Sequence, residues 1–132
     1  MTQRFTINSR LPGLNELLGW STSFYLRGGK RLSKYTECKR NLTDGIAAMA
    51  KAARLKPVER CHLTFYWTEP NRRRDPDNIA AGGRKLILDA LVKAGVLQND
   101  GWQQISAWQD VFDVGKVAKV TVEILELPAC VN

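Results

Sequence analysis

The sequence predicts an α+β fold: a two-layer sandwich of order β-α-β-α-β-β, with helices on one face of a mixed sheet. Three observations carry this prediction. Cys61, Leu63, Phe65 and Trp67 alternate with His62, Thr64, Tyr66 and Thr68, the two-residue period of a half-buried strand. Two longer stretches, about Ser33 to Leu55 and about Pro76 to Ala94, repeat apolar residues every three or four positions, as a helix does. Turn residues separate strand-like from helix-like segments, a pattern that packs helices onto a sheet.

The elements follow in order. Phe5 and Ile7 alternate with Arg4 and Thr6 in a short first strand, which Leu11-Pro12-Gly13 ends. Trp20 to Arg31 contains Gly28-Gly29 and several charges and reads as a loop, able to close over DNA or simply exposed to solvent. In the first helix Ser33 is the N-cap, Pro57 closes the segment, and Tyr35, Cys38, Leu42, Ile46, Met49 and Ala53 form the apolar stripe. The Cys61–Thr68 strand ends at Glu69-Pro70-Asn71. The second helix buries Ile79, Leu86, Ile87, Ala90, Leu91 and Ala94. Within it, Gly82 and Gly83 each cost about 1 kcal/mol relative to alanine, which predicts a local break. Gly95 ends it in the left-handed conformation. Strands at about Gln104 to Phe112 and Lys116 to Leu125 are read as a hairpin joined at Val114-Gly115. No repeat, linker or low-complexity tract interrupts the 132 residues, so one domain is expected over 1–132.

Composition narrows the function. Apolar residues make up 44% and charged residues 25%, which excludes disorder as the default. No apolar run is long enough for a membrane span, and Met1 to Arg10 lacks a secretory core, so a cytoplasmic protein is expected. Cys38, Cys61 and Cys130 are odd in number and far apart, against a disulfide framework or zinc site. The single histidine, His62, lies in the alternating run, and no serine or cysteine triad is supported. The net charge is +7, and between Arg27 and Arg60 ten basic residues face three acidic ones. Such an excess suits a phosphate backbone, although a merely soluble surface has the same composition.

Arg72-Arg73-Arg74-Asp75-Pro76-Asp77-Asn78 lies where a strand passes into a helix. Pro76 holds Asp75 extended, and residues two apart on an extended chain face the same way. Two adjacent carboxylates repel, and Mg²⁺, which takes oxygen ligands, relieves that repulsion. The plainer reading makes Asp75 or Asp77 a helix cap. An EF-hand loop is excluded by Ile79 and Ala80. Asp100, in the turn beyond the helix, is expected to fold back towards the same region. Lys85 and Asp89 stand four residues apart and read equally as a surface ion pair of about 0.3–0.5 kcal/mol.

Arg74-Asp75-Pro76-Asp77-Asn78, then Lys85-Leu86-Ile87-Leu88-Asp89-Ala90-Leu91, Ala94-Gly95, Asn99-Asp100 and Gln104-Ile105 together resemble the signature of the RusA-like Holliday junction resolvases. Residues 71–106 carry most of the likeness, with a weaker one at Leu11-Pro12-Gly13-Leu14-Asn15. The resemblance implies a homodimeric endonuclease, dependent on Mg²⁺ (or Mn²⁺), that nicks four-way DNA junctions symmetrically. It implies Asp75, Asp77 and Asp100 as metal ligands and Lys85 as the catalytic lysine. The sequence departs from the compact signature in two places. Eight residues rather than four separate Asp77 from Lys85, which makes Arg84 a rival, and Asn99 replaces one member of an acidic pair. Arg72, Arg73, Arg74, Lys39 and Lys51 are the expected phosphate contacts. The alternatives are a non-catalytic junction-binding module and a nuclease acting on other branched DNA.

Overall fold

The computed structural model describes residues 1–129. Its elements are β1 (Thr2–Ile7), α1 (Leu14–Ser21), β2 (Phe24–Arg27), β3 (Lys30–Ser33), α2 (Lys34–Ala52), β4 (Arg60–Glu69), α3 (Pro76–Lys93), β5 (Ile105–Val114) and β6 (Lys119–Leu127). Four strands form one sheet in the order β1-β6-β4-β5, and β2 pairs with β3 in a separate hairpin. The sheet is mixed, because β4 runs antiparallel to β6 and parallel to β5. The expected α+β architecture is therefore observed.

Strand alternation decides which face is buried. Leu63, Phe65 and Trp67 of β4, with Val120, Val122 and Ile124 of β6, share one cluster with Phe5 and Ile7. Ile46, Ala47 and Ala50 of α2 and Leu86, Ile87, Ala90 and Leu91 of α3 cover that face. Each large side chain taken from water contributes about 1.5–3 kcal/mol, and a one-residue slip would expose the whole set, so the register is firmly set. The other face mixes polar pairs with exposed Tyr66, Val111 and Leu125: the Thr6 and Thr121 hydroxyls meet at 3.0 Å, and Arg4 pairs with Glu123.

Several sequence readings are corrected. β5 and β6 form no hairpin, because β4, the strand buried along most of its length, sits between them. The Trp20–Arg31 segment is mostly ordered as α1's end and the β2–β3 hairpin, which turns at Gly28 and Gly29 with φ of 58° and 78°. The buried face of α2 is Thr43, Ile46, Ala47 and Ala50, while Met49 and Ala53 are exposed. Small alanines let this helix approach α3 closely. Trp67 is core, but Trp102 is 98% exposed. Cys61 is buried, which pushes its thiol up to about 11. Cys130 lies outside the described residues.

The expected break at Gly82-Gly83 does not occur, and α3 is continuous from Pro76 to Lys93. The glycines serve packing instead. A Cβ at Gly82 would stand 2.7 Å from the Leu14 amide nitrogen and collide with the Pro12 carbonyl. A Cβ at Gly83 would stand 2.6 Å from the Trp67 ring. Gly82→Ala is thus expected to destabilise the fold by about 1–3 kcal/mol in urea denaturation. Gly19→Ala, with nothing within 4 Å of the added carbon, should be neutral or stabilising.

Candidate active site

Asp75 and Asp77 stand at the start of α3. Asp75 occupies the N-cap position with extended backbone (φ −70°, ψ 147°), and Pro76 is the first helical residue. Proline suits that position, since its missing N–H would lack a helical partner anyway. Asp77 already lies in the helix, so the two carboxylates do not alternate along a strand as expected. They share a helix N-terminus, whose free N–H groups and dipole favour negative charge.

The capping explanation fails on geometry. The Asp75 side chain makes no cap hydrogen bond. The neighbouring Asn78 caps a different helix: its Oδ1 accepts from the Asn15 N–H of α1 at 2.9 Å. Gly13, at the N-cap of α1, has no side chain for the task, and Asn78 fills the space that a Cβ there would take.

Four other acids around α3 are neutralised. Arg74 is mostly buried and holds Glu69 through Nε at 2.8 Å and Nη2 at 2.7 Å, while its Nη1 donates to the Leu11 carbonyl at 2.9 Å. Glu16 lies 3.7 Å from the same guanidinium, and the Arg10 hydrogen bond holds its carboxyl below the usual range. Asp110 pairs with Arg84 and accepts from Trp67 Nε1 at 2.9 Å. Asp89 takes both Lys39 at 3.2 Å and Lys85 at 3.3 Å. Among the described residues, Asp75 and Asp77 have no ion pair, although Arg72 and Arg73 are close in sequence.

Asp75 opens into a cleft of about 220 Å³ between the ends of β4 and β5 and the start of α3. Arg72, Ile79, Phe112 and Asp113 line it as well. The sequence reading missed Asp113. Parallel pairing of β4 and β5 sets it beside Thr68, and reading β5 and β6 as a hairpin hid that register.

The remaining expected residues disperse. Asp100 does not fold back: it lies beyond the far end of α3, whose 18 residues span about 27 Å. Within one described chain no three metal-ligating side chains converge. Lys85 is about 12 Å along the helix from Asp77 and engages Asp89. The rival Arg84 stacks over Trp108, 4.8 Å from its centroid, and pins α3 to β5. Arg74 is a structural clamp rather than a free phosphate contact, and Lys39 is held by Asp89. Lys51 sits in the last turn of α2. The Lys39–Asp89 and Asp44–Lys93 pairs make α2 and α3 parallel, which puts Lys51 at the end opposite Asp75. Arg72 and Arg73 remain exposed at the cleft end.

No helix among the described residues is long and apolar enough to cross a membrane. No family model matches the chain, and no curated protein matches it. Arg74→Met, which leaves Glu69 half-buried without its cation, should lower stability by about 2–3 kcal/mol in denaturant titration. Arg73→Gln should change it by less than about 0.5 kcal/mol.

Proposed function

We propose that the protein is a divalent-cation-dependent DNA endonuclease of the RusA-like kind, acting on four-way junctions. One observation carries this reading: Asp75 and Asp77 stand without ion-pair partners at a helix N-terminus, Asp75 in a cleft that Asp113 also lines, in a chain of net charge +7 in which Glu16, Glu69, Asp89 and Asp110 are paired. Two carboxylates on one helix turn without basic partners leave negative charge that a bound cation would offset. Oxygen donors of this kind suit Mg²⁺ or Mn²⁺, which when bound supplies an activated water and neutralises charge at a scissile phosphate. Asp75 and Asp77 would hold the cation, while Arg72 and Arg73 would hold the flanking phosphates.

Asp100 joins these two acids only from a second copy, since about 27 Å of helix separates them within one chain. A two-fold homodimer with the ends of α3 exchanged would meet that need and present two sites to a nearly two-fold junction. The second reading needs no second copy: Asp75 and Asp113, which line the cleft together, would share the cation, with water and a substrate phosphate completing its shell.

Cleavage of a labelled four-way junction in Mg²⁺ tests the proposal. Asp77→Asn should abolish paired nicks while leaving junction binding intact. Asp77→Asn and Asp100→Asn chains, each inactive alone, should regain single-strand nicking when mixed, because one site of each mixed dimer has a full set of acids. Recovery would exclude the Asp113 reading. Wild-type cleavage by Asp77→Asn would refute the site, and tight binding without nicks by the wild type would leave a junction-binding module.

A further inference from the structure

The β2–β3 hairpin has no role in the core. All residues of β2 are exposed, and Leu26 is 76% exposed. An isolated two-stranded hairpin is marginal in water, and this one is further burdened by its charges. From Phe24 to Lys34 it carries Arg27, Lys30, Arg31 and Lys34 and no acid. Arg27 and Lys30 are direct cross-strand partners, and like charges in that arrangement destabilise a sheet. Glu37 relieves Arg27 at 3.3 Å, but Lys30, Arg31 and Lys34 have no ion pair among the described residues. Arg31 is held over the Phe24 ring at 4.2 Å and Lys34 lies 5.8 Å from that of Trp20, so two of these cations rest on aromatic faces. A polyanion laid along the hairpin removes the repulsion.

The proposed function names the polyanion as DNA. The Lys39–Asp89 and Asp44–Lys93 pairs run α2 parallel to α3 and set its start level with about Arg84, so the hairpin joins α2 beside the middle of α3, roughly 13 Å along the helix from Asp75. Arg72 and Arg73 are exposed near the start of α3, so a phosphate backbone long enough to cover both stretches would meet the hairpin as well. We propose that the β2–β3 hairpin is a DNA-gripping arm, which holds a stretch of phosphate backbone against Lys30, Arg31 and Lys34. The inference rests on the DNA-binding half of the proposed function and not on its cleavage half.

The test is the salt dependence of binding to a fluorescent four-way DNA junction without divalent metal. Lys30→Gln/Arg31→Gln should reduce the slope of log K against log salt by about 2, one phosphate for each cation removed. At moderate salt the same variant should bind at least about tenfold more weakly. Arg54→Gln/Lys56→Gln removes the same charge beyond the C-terminal end of α2 and should leave the slope unchanged. Equal losses in the two variants, or an unchanged slope in the hairpin variant, would overturn the arm. A hairpin variant that loses binding to phosphatidylserine vesicles but not to DNA would overturn it as well, in favour of a membrane contact. Failure of the wild type to bind DNA would overturn the functional reading along with the arm. The exposed substitutions should leave the thermal unfolding midpoint unchanged, which separates lost contacts from lost structure.

Discussion

Backbone meets backbone where α3 passes under the segment Pro12–Leu14, and the rest of the molecule depends on that contact. It is possible only because Gly82 has no side chain: any Cβ there collides with the Pro12 carbonyl. Around it, residues from the start of α3 do three jobs at once. Asn78 caps α1, Gly83 receives the Trp67 ring, and Arg74 ties Glu69 at the end of β4 to the Leu11 carbonyl. These contacts lock the first turn of α3 against the sheet end. Asp75 and Asp77 are therefore presented from a rigid helix start and not from a free loop, as a precise carboxylate site requires.

The same network explains which charges are available. Two arginines are engaged inside the protein: Arg74 sets Nε and Nη2 on one Glu69 oxygen, and Arg84 reaches Asp110 through Nη2 alone. Their acids, Glu69 and Asp110, are thereby removed from any cation site. Asp75 and Asp77, with Asp113 across the cleft, are the acids left without a basic partner at this end of α3 among the described residues. Along the same helix Lys39 and Lys85 converge on Asp89, an arrangement that compensates the acid and holds α2 against α3.

Local signals were legible in the sequence, and pairings between distant segments were not. The alternation over Cys61–Thr68 gave β4, and the apolar periodicity of α3 gave its buried face, because each is a property of neighbouring residues. Strand order is not local. β5 and β6 follow one another with a glycine between them, yet β4 takes the place between them because its Leu63, Phe65 and Trp67 require cover that an edge position lacks. Gly82 and Gly83 read as helix weaknesses, since what they accommodate comes from residues some seventy positions earlier and from β4. Asp75 and Asp77 were found from adjacency alone. Asp100 was misplaced because the path of the segment after α3 is set by distant contacts, Val96 with Val58 and Gln104 with Cys61, which hold it at the start of β4, and Asp113 was missed because its neighbour Thr68 is set by parallel pairing.

The central claim is that Asp75 and Asp77 together hold a divalent cation, and Mn²⁺ titration followed by electron paramagnetic resonance tests it most directly. Wild-type protein should remove free Mn²⁺ signal at stoichiometric binding, and Asp75→Asn and Asp77→Asn should each weaken that binding at least about tenfold, since hard cations depend on ligand charge. Wild-type affinity in both variants would contradict the account.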